Sequence, residues 1–179
     1  MDSPTPSNAL LNILGVQNVD YFETDLSGTN NIYRPGDLPQ VLQLNADATG
    51  DPIDHANLRQ NGGTAYNIGF TDVGEWQNYT RTIPTATNYM IYARAASAGG
   101  GQFEVERLAN PTATTTTQPL IALGRVNVPN TGGSKVFSGQ LTPVTDAFGN
   151  TAVVPLSGLN TFRCTALSAR AYNLEYLVF

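Results

Sequence analysis

The chain has 179 residues and a formal net charge of −5, with 41% hydrophobic and 13% charged residues. These values fit one domain with an ample core and exclude a disordered chain. An acidic balance without a Lys/Arg cluster argues against nucleic acid and anionic membrane as partners, because both rely on a concentrated basic footprint.

Residues 1–18 carry two prolines and the helical-looking run SNALLNIL, and are expected to be a tail or a strap over one edge. The apolar run Ala9–Val16 is broken by Asn12 and Gly15 and has no basic flank, so it fails as a signal peptide and as a membrane span; a mature protein or an excised module is expected. Residues 19–179 are expected to form a single domain, within which 25–65 reads as one long polar loop of the kind that carries function on a rigid scaffold.

From there on the chain reads as β-structure. The runs IGFT, EWQNYTRTI, NYMIYARAA, GQFEVERL, LIALGRVNV, VFSGQL, AVVPL, NTFRCTAL and YNLEYLVF are short, rich in β-branched or aromatic residues, and separated by turn signals such as NGG, AGGG, PNTGG and FGN. Alternation is clearest in Tyr89, Ile91, Ala93 and Ala95 against Met90, Tyr92 and Arg94. It recurs in Phe103, Val105 and Leu108 around Glu104, Glu106 and Arg107. Such a series without an intervening amphipathic helix predicts an all-β fold, an antiparallel β-sandwich of jelly-roll type with two sheets. The tract Thr112–Thr117 reads as a low-complexity hairpin tip.

Several chemistries are missing. The one histidine, His55, lies in a polar stretch with no nucleophile elbow, and the single Cys164 is far from it, so neither a hydrolase triad nor a zinc site is indicated. Cys164, in the run TFRCTAL, is expected to be a buried strand thiol. The run AGGGQ precedes a strand and lacks the lysine and helix that a phosphate loop needs. Glu104 and Glu106 share one strand face with α-carbons about 6.6 Å apart, the separation of an inverting glycosidase pair. Catalytic pairs face each other across a cleft, however, and alternate charges on a wet strand face are ordinary. Asp47, Asp51 and Asp54 lack the glycine and terminal Glu of an EF-hand loop, and read as a solvated acidic loop. The NYT acceptor at Asn78 falls inside an expected strand and is discounted as a glycosylation site.

The stretch NGGTAYNIGFTDVGEWQNYT at 61–80 packs glycines beside bulky rings and acids. With the following TRTIPTATNYMIYARAASAGGGQFEVERL, it resembles the core of the carbohydrate-binding modules of family 6 and the related families 35 and 36. VNVPNTGG, LNTFRCTAL and AYNLEYLVF follow in the order those families show; Val19–Asp37 matches more loosely. The resemblance implies a β-sandwich in which Trp76, of the Gly74-Glu75-Trp76 turn, packs inside. It also implies a sugar cleft beside that turn with Tyr66 as a ring platform and Asn173 as a hydrogen-bonding residue. Such groups suit a pyranose, whose C–H face packs on a ring and whose hydroxyls need fixed partners. Where these families commonly carry a second ring after Thr-Gly-Gly, this chain has Ser134. Either Tyr33, with Arg34 as a donor, replaces it, or the site has moved; Tyr172 lines the cleft or packs on Tyr176. Arg170, where small glycines often stand, points to an acidic or sulfated sugar. The resemblance also implies a structural calcium held by Asp20, Glu23 and Glu175. It further implies a polysaccharide or oligosaccharide as partner and a non-catalytic module, mostly bacterial, targeting a secreted polysaccharide-degrading enzyme. A structural or adhesive sandwich without a working sugar site is the alternative, and a hydrolase acting through Glu104 and Glu106 the third reading.

Overall fold

The computed structural model describes residues 66–69, 71–112, 117–137 and 141–179, and, of the strands Tyr21–Phe22 and Val41–Gln43 and of Tyr66, the backbone alone. The predicted tail at 1–18 lies outside the described residues. Among those described there is no helix, and ten strands follow in chain order. They are β1 (Tyr21–Phe22), β2 (Val41–Gln43), β3 (Tyr66–Ile68), β4 (Trp76–Met90), β5 (Tyr92–Ala96), β6 (Gly101–Leu108), β7 (Leu120–Val128), β8 (Thr142–Thr145), β9 (Val153–Ala166) and β10 (Asn173–Val178).

All pairings are antiparallel, and the strands form one series, β1-β4-β9-β6-β7-β8-β5-β10-β3-β2. Continuity depends on β8, which pairs through Val144 and Thr145 with β7 and through Thr142 and Pro143 with β5. The sheet is strongly curled. Phe103 on β6 stacks on Tyr172 just before β10, with ring centroids 5.0 Å apart, and Phe162 on β9 meets Phe179 just after β10 at 4.5 Å. At roughly 4.8 Å per strand, β6 and β10 would lie about 19 Å apart in a flat sheet. The two arms of the series therefore face each other across a shared core.

That core collects alternate residues from both arms: Ile91, Ala93 and Ala95; Phe103 and Val105; Val126 and Val128; Val144; Phe162, Cys164 and Ala166; Leu174 and Leu177. The predicted alternation holds for Ile91, Ala93 and Ala95, and Cys164 is the expected buried thiol. Leu108 departs from it. Its parity puts it with Glu104 and Glu106 on the outer face, where it is buried but stands outside the core cluster.

Several boundaries differ from expectation. EWQNYTRTI and the start of NYMIYARAA belong to one fifteen-residue strand, β4, while AVVPL and NTFRCTAL fuse into the fourteen-residue β9. These strands pair along nearly their whole length, and the register shifts once, between Ile83 and Thr87, where Pro84 cannot donate to a ladder. Val136 and Phe137 are not strand residues, and β8 begins only at Thr142. β2, paired residue by residue with β3, falls inside the expected loop 25–65.

Phe103 is fully buried and joins both arms, so Phe103→Ala is expected to cost about 3–5 kcal/mol in denaturant unfolding. Exposed Leu159→Ala is expected to stay within about 0.5 kcal/mol. Equal effects at the two sites would contradict this account of the core.

Candidate functional site

The Gly-acid-Trp turn is built as a strand starter. Gly74 has φ 87°, a left-handed conformation that side chains disfavour, and its N–H donates to the Ala166 carbonyl at 2.9 Å. The Ala166 N–H donates in return to the Glu75 carbonyl at 2.8 Å, which opens the β4–β9 ladder. Glu75 is completely buried, and its Oε2 accepts the Asp72 N–H at 2.6 Å, so this carboxylate closes the turn from inside. Trp76, expected in the core, is only half-buried and belongs to the outer face. The reason is parity: Ile83 and Tyr79 face the core from β4, which turns Trp76, Asn78 and Thr80 outward.

On that outer face Trp76 carries the Arg163 guanidinium 3.4 Å from its ring centroid, a desolvated cation–π contact. Arg163 Nε donates to Asn78 Oδ1 at 3.0 Å and Nη2 to Gln118 Oε1, and burial brings the Arg163 pKa down to about 10. Asn78 is thus committed to a buried network, which explains physically why its NYT run is unsuited to carry a glycan.

The predicted sugar residues separate. Asn173 opens β10, and its Nδ2 donates to Asn67 Oδ1 on β3 at 2.6 Å; both side chains are buried. Gly69 makes room for this pair, since a Cβ there would lie 2.7 Å from Asn173 Oδ1. Tyr66 begins β3, the strand beside β10, and its side chain lies outside the described residues. So do Tyr33 and Arg34. Tyr172 does not line a cleft: it is 4% exposed and stacked on Phe103 rather than Tyr176, and burial pushes its hydroxyl pKa well up. Arg170, at φ 48°, forms a two-point ion pair with Asp72 at 3.2 and 3.1 Å. That partner weakens the case for an acidic sugar.

Ser134 is exposed on the loop after β7. The ring of that loop, Phe137, is buried, with the Arg94 guanidinium 5.5 Å from its centroid. Arg94 Nε donates to Glu175 Oε2 at 2.7 Å, and both side chains are almost inaccessible. Glu175, one expected calcium ligand, is therefore held by a fixed positive charge; Asp20 and Glu23 lie outside the described residues. Among the described residues no three His, Cys, Asp or Glu side chains gather as a metal site.

Glu104 and Glu106 share the outer face of β6, as expected, but do not oppose each other across a cleft. Glu104 pairs with Arg125 at 3.7 Å, and Glu106 Oε2 accepts the Thr165 hydroxyl at 3.0 Å. Next to them, β6, β7 and β8 and the turn after β8 line a groove of about 670 Å³ with Gln102, Glu104, Arg125, Asn127, Thr145 and Asp146 among its walls. Sequence reading missed this groove, as it did the Arg94–Glu175 pair. The only signals were alternate polar residues on neighbouring strands and the turn signal FGN.

Fold and surface thus define an all-β module with polar outer faces and no described catalytic constellation. No protein-family model matches the sequence, and no curated protein matches it either. Solved structures do. The carbohydrate-binding module CBM6cm-2 from Cellvibrio mixtus lichenase 5A, in complex with cellotriose, is 21% identical over 89% of this chain and 94% of that one, with a TM-score of 0.47. CsCBM6-3 from Clostridium stercorarium, in complex with cellobiose, is 17% identical over 92% and 96%, with a TM-score of 0.49. A family 43 arabinoxylan arabinofuranohydrolase from Bacillus subtilis, in complex with cellotetraose, is 20% identical with a TM-score of 0.50; the match covers 78% of this chain and 24% of the enzyme. Modules of families 6 and 35, which the sequence resembles, thus recur among the structural neighbours, and at these identities the likeness concerns the fold.

Burial raises the Glu106 pKa above the usual carboxylate value, with Thr165 and Arg163 opposing and Glu104 adding. An acid whose folded pKa exceeds its unfolded one loses stability on ionising; the loss is absent below the unfolded pKa and complete above the folded one. Glu106→Gln is therefore expected to raise the melting temperature at pH ~7 and to have no such effect at pH ~3. A gain equal at both pH values would refute this assignment.

Proposed function

We propose that the chain is a non-catalytic carbohydrate-binding module built as a two-sheet, jelly-roll sandwich, which holds a polysaccharide near a secreted degrading enzyme. The observation that carries this reading is the pairing of Asn173 with Asn67 over Gly69. The amide that the sequence resemblance assigns to sugar hydroxyls is held in one orientation, on the neighbour of the strand that begins with Tyr66. Asn173 is nearly covered in that position, so the reading rests on its place beside β3 rather than on an exposed amide. Two similar folds are complexes with cellotriose and cellobiose, which makes glucan chains the first ligands to test. Attachment to an enzyme would raise its effective concentration at the polymer, so modest affinity suffices.

Calcium belongs to this proposal only through Asp20 and Glu23, since Glu175 is engaged by Arg94. The exposed Ser134 and the buried Tyr172 favour a second reading, a structural or adhesive domain without a working sugar site, because they remove two of the expected platforms.

The test is binding of the purified chain to a panel of soluble β-1,3- and β-1,4-glucans and arabinoxylan, with and without a chelator, while melting is followed in parallel. A binding module should recognise at least one polymer class, and Tyr66→Ala should weaken that affinity about tenfold with the melting temperature unchanged. A stable fold that binds none of them would support the adhesive reading instead. A melting temperature that falls with chelator would support the metal.

A further inference from the structure

We propose that Arg81, Asn160 and Arg107 form a binding site for a small tetrahedral oxyanion, phosphate or sulfate, taken as the free ion or as a monoester.

The three residues make a polar belt on the core-facing parity of adjacent strands. Arg81 lies between Tyr79 and Ile83 on β4, Asn160 precedes Phe162 and Cys164 on β9, and Arg107 follows Phe103 and Val105 on β6. Strand β9 runs between the other two, with Asn160 directly opposite Arg81 and Phe162 directly opposite Arg107. At about 4.8 Å per strand, β4 and β6 stand about 10 Å apart, a gap that two inward-reaching arginine side chains can close around one small ion.

The hydrogen bonds leave one of these cations short of a counter-charge. Buried Asn160 is fixed by its Nδ2, which donates to the Ser157 and Gly158 carbonyls at 3.1 and 3.0 Å, and its Oδ1 accepts from Arg107 Nη1 at 3.4 Å. Among the described residues that long bond to a neutral oxygen is what Arg107 has, whereas Arg94, Arg125 and Arg170 each meet a carboxylate. Neighbouring Glu106 cannot serve, because it points to the opposite face and accepts the Thr165 hydroxyl. A half-buried guanidinium with N–H donors to spare is stabilised by an anion.

The surroundings suit an oxyanion. Phe162 and Phe179 meet at 4.5 Å, and the Arg81 guanidinium stands 5.9 Å from the Phe179 ring centroid. Apolar rings beside the cations lower the local dielectric and strengthen their attraction to negative charge. Two guanidinium forks offer paired N–H groups from two sides, which matches the oxygens of phosphate or sulfate. Both arginines are half-buried rather than enclosed, so an ion can enter from solvent.

The experiment titrates the full chain with sodium phosphate, sodium sulfate and phenyl phosphate at constant ionic strength, with chloride as the balancing anion, and follows melting temperature and amide NMR shifts. The expected result is a saturable rise in melting temperature with phosphate or sulfate and shifts centred on Arg81, Arg107 and Asn160. Binding should weaken at least tenfold in Arg107→Gln and less in Arg107→Lys, which keeps the charge without the fork. Arg125→Gln, which removes one positive charge elsewhere, should bind like the wild type. If Arg107→Gln does not fold, the wild-type shift map and Arg81→Gln decide, and shifts centred elsewhere or undiminished binding in Arg81→Gln would overturn the site. Phenyl phosphate binding at least tenfold tighter than inorganic phosphate would make the ligand a monoester; equal or weaker binding would make it the free ion. A rise that chloride reproduces, that does not saturate or that Arg107→Gln leaves intact would reject the proposal. No sugar is present, so neither result bears on the module reading.

Discussion

The contact between the two arms of the sheet, made where Phe103 meets Tyr172 and Phe162 meets Phe179, is the constraint on which everything else depends. A ten-strand antiparallel series would otherwise expose one whole apolar face. Curling hides that face, fixes which parity of every strand points inward, and so decides which residues remain to meet a partner. The β4–β9 ladder supports the curl by running past the proline and letting the chain cross at Ile91 from the β4 arm to β5 on the other.

Because the inward parity is apolar, the outward parity carries the chemistry, and much of it is tied up within the fold. Arg163 is shared between Trp76, Asn78 and Gln118, and Arg94 between Glu175 and Phe137. Charges withdrawn from water are tolerated only when paired in this way, and leaving either partner alone would cost several kcal/mol. What stays accessible is different in kind: rungs of amides and a screened ion pair on β6 and β7, and an isolated ring at the tip of a braced turn.

Much of the fold was legible because period-two alternation has one physical cause, a strand with a dry face and a wet one. NYMIYARAA and GQFEVERL were read with the correct inward residues up to Val105, and the turn at Gly74 and the closing β10 fell where the sequence resemblance put them. Strand lengths were not legible: Pro84 and Pro155 look like breaks, yet β4 and β9 run through both positions. Trp76 was expected inside from the sequence resemblance, but the parity set by Tyr79 and Ile83 turns it outward under a guanidinium. Tyr172 reversed in the other direction, because its partner lies on β6, far away in sequence. Of the expected site, the Asn173 environment is visible; Tyr33, Arg34, Asp20 and Glu23 lie outside the described residues. The groove beside β8 had no local signature, as it exists only once three strands come into register.

The most direct measurement is an amide NMR titration of the intact chain with a soluble β-glucan oligosaccharide. The account predicts shifts in one patch around Asn67–Gly69 and Asn173, while core amides such as Val105 and Cys164 stay still. Shifts confined to the Trp76–Arg163 face, or none at saturating oligosaccharide, would contradict it.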